Sequence, residues 1–97
     1  MIDIINGIAY ENGHPIILHI IDVKPLDGHT LIATFQNGVV KEYDATPLLE
    51  KPAFQALREP EKFANITLDH GVPTWKNENL DLSPETIYSS GVDFASA

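Results

Sequence analysis

The 97-residue sequence contains no cysteine. That absence removes disulfides, thiolate nucleophiles and sulfur-ligated zinc together, and leaves only carboxylate, hydroxyl and imidazole chemistry. Basic side chains are scarce: six Lys and Arg stand against fourteen Asp and Glu, a formal charge of −8. Such a balance repels phosphate backbones and supplies no basic stripe for counterion release, so direct nucleic-acid binding is not expected. A basic protein partner suits an acidic surface, and so does plain solubility. Long apolar runs are missing too. No stretch reaches the roughly 18 apolar residues of a membrane span, and "MIDIINGIAY" carries an aspartate where a signal peptide needs basic charge. No membrane association and a cytoplasmic location are the expectations.

What the chain does contain is the makings of one packed domain. It is 43% hydrophobic and 21% charged, and a chain of this length buries roughly two-thirds of its unfolded surface. Residues 1–97 read as a single domain: an N-terminal hairpin extension over 1–16, a core over 17–91 and a fraying tail over 92–97. Three Asn-Gly pairs, at 6–7, 12–13 and 37–38, punctuate apolar or alternating segments. This dipeptide favours the positive φ angles of a type I′ hairpin turn. Strands are therefore predicted at about 2–5, 8–11, 15–24, 30–36 and 39–44. The fold class is α+β: an antiparallel meander of about five N-terminal strands plus a late hairpin, packed with two or three short helices.

If Asn37 and Gly38 form a two-residue loop, Phe35 opposes Val40 and Thr34 opposes Lys41. Leu31, Ala33, Phe35 and Val40 then share the inner face, with Ile32, Thr34, Lys41 and Tyr43 on the other. The stretch "PIILHIIDV" is apolar on both sides, with Ile16, Leu18 and Ile20 on one and Ile17, Ile21 and Val23 on the other. Both sides require cover. Ile16, Leu18 and Ile20 are the candidate face for self-association as a homodimer.

After Asp44 the texture changes. Pro47, Pro52 and Pro60 can each open a short helical turn and stop the one before, and Leu48, Leu49, Phe54, Leu57 and Phe63 can cap the sheet. "NITLDHGVPTW" predicts strands at about 65–69 and 72–76. "LSPETIYSSG" predicts a helix with Ser83 as N-cap, Pro84 in the first turn and Gly91 as the stop.

Motifs with chemistry are few. His14, His19, His29 and His70 lack the paired spacing of a metal site, so no metal and no cofactor are expected. His19 reads as a packed or interface residue and His70 as a solvated one. Asp44, Asp69, Asp81, Glu78 and Glu85 could furnish a carboxylate pair, but acids at strand ends and helix starts are ordinary in an acidic domain. Asp44, before a Thr-Pro corner, reads as a turn residue. The serines lie late, with no nucleophile elbow and no phosphate-cradling glycine loop. No residue is assigned a catalytic role. "VPTWKNENLDLSPETIY" admits two readings: a strand that seats Trp75 on the sheet before a turn and helix, or a groove for a partner segment bordered by Trp75, Asn77, Asn79, Asp81 and Tyr88.

From about Ile20 to Tyr88 the order of landmarks is specific. It runs through Val23-Lys24-Pro25-Leu26, Phe35 before Asn37-Gly38, Asp44 with a following Pro-Leu-Leu, Phe54, Leu57 and Phe63. Trp75 and the closing Asp81-Leu82-Ser83-Pro84-Glu85 with Tyr88 complete it. This stretch resembles the prokaryotic domain-of-unknown-function family 2442. The resemblance implies a small α+β domain, in some members fused to a helix-turn-helix segment and in others encoded beside another small protein in a toxin–antitoxin-like pair. It brings no activity and no catalytic residues. The expectation is a non-enzymatic protein-interaction module, antitoxin-like or regulatory. The alternative is a small enzyme or ligand-binding domain using carboxylates such as Asp44 and Asp81 near Trp75.

Overall fold

A computed structural model describes residues 2–94. The fold is α+β, with three antiparallel sheets and short helical segments. The N-terminal meander comprises β1 (Ile2–Ile5), β2 (Ile8–Glu11) and β3 (His14–Ile16) in that spatial order. Both of its turns are two-residue Asn-Gly loops with positive φ at each position, as the dipeptide demands. One face carries Ile2, Ile4, Ala9 and Ile16 toward the core.

The central sheet contains β4 (Ile20–Leu26), β5 (Thr30–Phe35) and β6 (Val40–Asp44), with a late strand β10 (Val92–Asp93) added beside β6. Two 3₁₀ segments, Thr46–Glu50 and Pro52–Arg58, and the helix α1 (Pro60–Ala64) follow, each beginning at a proline within its first two positions. The third sheet is β7 (Thr67–Asp69), β8 (Val72–Trp75) and β9 (Leu80–Asp81), with a 3₁₀ turn at Lys76–Glu78 between the last two. The helix α2 (Pro84–Ser90) follows β9, and Ser83 Oγ caps it by accepting from the Thr86 amide at 3.4 Å.

One core joins these layers. Leu31, Ala33 and Phe35 from β5 meet Leu48, Leu49, Leu57, Phe63, Trp75, Leu82 and Ile87. Burial of such side chains is worth roughly 1.5–3 kcal/mol each before the entropy of ordering the chain is subtracted.

Four expectations require correction. The predicted strand over 15–24 is two strands, interrupted at Ile17–His19, because the chain leaves the N-terminal meander and enters the central sheet there. Within β4 a bulge between Ile20 and Asp22 inserts Ile21 as an extra residue. Ile20 therefore points inward and Ile21 outward. Leu18 and Ile20 are accordingly buried and Ile16 is half-buried against the core, so this trio is not an open self-association face. Ile17, at 80% exposure, and Ile21 are the apolar residues of this stretch left in water.

The β5–β6 register is one residue away from the expectation: Thr34 opposes Val40, Ala33 opposes Lys41 and Leu31 opposes Tyr43. Gly38 alone takes a positive φ, Asn37 does not, and the Phe35 amide donates to Val39 O at 2.8 Å. The connection is a turn plus a glycine bulge rather than a two-residue loop, and the extra residue turns every β6 side chain over. Tyr43 is thus buried and Val40 faces outward. Finally, Val92 and Asp93, expected within a fraying tail, pair with Glu42 and Lys41. Residues 95–97 of that tail lie outside the described residues.

Candidate functional site

Trp75 ends β8 and is 1% exposed. Its Nε1–H donates to the backbone carbonyl of Phe63 at 2.9 Å, and the two rings lie 6.0 Å apart. The indole is a strut between β8 and the C-terminal end of α1, with its polar atom satisfied by main chain as a buried tryptophan requires.

The polar residues after it divide between two surfaces. Asn77, exposed on the 3₁₀ turn, borders a depression of about 500 Å³ lined also by Trp75, Glu61, Lys62, Asn65 and Glu78. Lys62 Nζ stands 3.3 Å from Glu59 and 3.9 Å from Glu78, bridging the α1 side to the turn. Asn79 takes a left-handed φ of 55° to end that turn. With Asp81 it borders a separate depression of about 410 Å³, shared with Asp69, Thr74 and Lys76.

Tyr88 belongs to neither. Its ring meets Phe35 edge-on at 5.1 Å, and Lys41 Nζ lies 4.8 Å over its face. Lys41 also pairs with the β10 carboxylate of Asp93 at 2.7 Å. The five residues Trp75, Asn77, Asn79, Asp81 and Tyr88 therefore do not line a single groove.

The acids are not drawn into a reacting pair either. Asp44 accepts from the Thr46 amide at 2.9 Å, a bond that, with the Thr46 side chain, holds its carboxyl below the usual range. It is the exposed last residue of β6, accepting a local backbone hydrogen bond as expected, and does not line the depression that holds Asp81. His29 Nε2 donates to Arg58 O at 3.0 Å and anchors the β4–β5 turn to the 3₁₀ segment, with Phe63 edge-on at 5.1 Å. His70 sits exposed at the β7–β8 turn, 2.7 Å from Asp69. His19 is exposed and abuts Gly71. Among the described residues no three His, Asp or Glu side chains are placed to share a metal ion.

What sequence reasoning missed is the role of Lys41 and the outward display of Val92 and Phe94. Both depend on β10, whose two paired residues carry too little pattern to be read as a strand.

No curated protein and no solved structure matches this chain. Residues 20–93 match the profile of a family described as protein of unknown function, DUF2442. That stretch begins at the first residue of β4 and ends at the last of β10, so it takes in the central sheet, the third sheet and every helix between them. The chain belongs to the DUF2442 family, and the N-terminal meander stands outside the matched portion.

Proposed function

We propose that the chain is a non-enzymatic protein-interaction module, the antitoxin-like or regulatory member of a two-gene pair. The observation that carries this reading is the display of large apolar side chains on an acidic domain. Seven of them, including Ile17, Ile21 and Val92, are 43–80% exposed among the described residues. Four of them lie in pairs: Ile5 and Ile8 are cross-strand partners, and Val92 and Phe94 alternate onto one face. Clustered apolar exposure marks contact surfaces. The charge of −8 supports a basic partner, because complementary fields speed encounter and fix register. Asn77 on one surface and Asn79 with Asp81 on another add exposed polar groups.

The test is co-expression with the product of the adjacent gene, followed by size-exclusion chromatography at low and high salt. The expected result is a complex of fixed stoichiometry that weakens as salt rises. Failure of the neighbouring product to co-elute at low salt would remove this reading.

A further inference from the structure

We infer that the outward face of the central sheet is a self-complementary surface that takes a second copy of this chain. The inward face is filled: Phe35 receives Tyr88 of α2, and Leu31 and Ala33 lie in the core. On the outward face the register sets Lys24, Ile32, Glu42 and Val92 side by side across β4, β5, β6 and β10. Alternation brings Val40 and Phe94 to the same face, where the Phe94 amide donates to Val40 O at 3.0 Å. Val92 is 62% and Phe94 43% exposed, and Ile32 and Val40 are half-buried. The exposed Asp22 and Asp44 flank this row at its two ends along the strands.

The order of charges within the row selects the occupant. Lys24 and Glu42 are equidistant from Ile32, one strand to either side. A twofold axis between two such sheets, running along β5, sets Ile32 against its own copy. The same axis carries Lys24 of each chain over Glu42 of the other. Two opposite-charge contacts then bracket one apolar contact, which is the geometry of an isologous interface. Sheets packing face to face keep their strands within about 30° of each other, so the alignment survives the natural crossing angle. The same axis sets Val40 against Asp22 of the second copy and carries Val92 and Phe94, two strands from β5, beyond its β4 edge, so the contact is centred on the row of Lys24, Ile32 and Glu42. Each copy also carries a charge of −8, but at physiological salt charges farther apart than about 8 Å are largely screened, whereas the facing pairs are not.

This inference deepens the interaction reading and rests on it. Sedimentation of the full chain over a dilution series tests it, using the native protein, Lys24→Glu, Glu42→Lys and the double exchange, with circular dichroism confirming that each is folded. The expected result is a monomer–dimer equilibrium that each single exchange weakens by about tenfold or more and that the double exchange restores. A native protein that stays monomeric overturns the inference, as does a dimer indifferent to the single exchanges. An independent arm uses Ile32→Cys in this cysteine-free sequence. Packed sheets lie about 10 Å apart, too far for a disulfide but within reach of a short bismaleimide. Ile32→Cys should cross-link to a covalent dimer, while Asp3→Cys on the N-terminal meander should not. Equal yields from the two would also overturn it. A monomer that still binds the neighbouring gene product defeats this inference alone, whereas a dimer that ignores that product defeats only the hetero-partner reading.

Discussion

The indole proton of Trp75 ties α1 to β8 through the carbonyl of Phe63. Trp75→Phe keeps an aromatic ring but leaves that acceptor unpaired, and should cost about 1–3 kcal/mol, read from the midpoint of urea unfolding. Glycines separate two causes of strain. Gly13 and Gly71 have nearly equal positive φ values of 80° and 81°, yet an added Cβ at Gly13 meets open space whereas one at Gly71 would lie 2.8 Å from His19 Nδ1. Gly13→Ala should therefore cost about 1 kcal/mol, and Gly71→Ala distinctly more in the same assay. Tyr43 supplies the pH dependence. Burial first, and Asp44 second, raise its phenol above the ordinary value. Above about pH 10 the unfolded chain releases a proton that the folded chain retains, so stability is full below that range and falls as pH rises through it. Tyr43→Phe should flatten that alkaline slope while leaving the slope at neutral pH unchanged.

At the scale of elements, the interrupted strand before β4 yields a sharp comparison between neighbours. Leu18→Ala should cost about 2–5 kcal/mol as a core truncation, while Ile17→Ala should stay within about 0.5 kcal/mol; thermal unfolding of the two variants checks both. Alternation could not assign these faces, because "IILHII" is apolar at every parity that matters and the bulge at Ile21 shifts the period by one. Turns were legible where their chemistry was unambiguous: Asn6-Gly7 and Asn12-Gly13 close two-residue hairpins. Asn37-Gly38 uses the same dipeptide in a longer turn, since only Gly38 adopts positive φ. That single difference moved Tyr43 into the core. The α2 segment was read correctly from Ser83 and Pro84, but Gly91 serves a different purpose there. Its φ is −75°, and what it permits is close approach: a Cβ would lie 2.6 Å from Ile87 O and 3.1 Å from Glu42 O. The candidate groove failed for a related reason. Nearness in sequence placed Trp75 and Tyr88 together, whereas β9 and α2 carry them to different parts of the core.

For the whole molecule, the excess of acids over bases governs behaviour in solution. Near the isoelectric point of about 4.7 the net repulsion between copies vanishes, so solubility should be lowest there. Static light scattering across a pH series should rise toward that value and fall on either side. The three sheets share one apolar centre, and the chain's sole tryptophan stands in it where α1 meets the third sheet. Its emission is therefore an internal gauge of that junction, blue-shifted and shielded from iodide while α1 stays docked. Detachment of α1 would redden the spectrum even if the central sheet remained intact, so a fluorescence transition that precedes the far-ultraviolet dichroism would locate the first opening of the molecule without any attached dye.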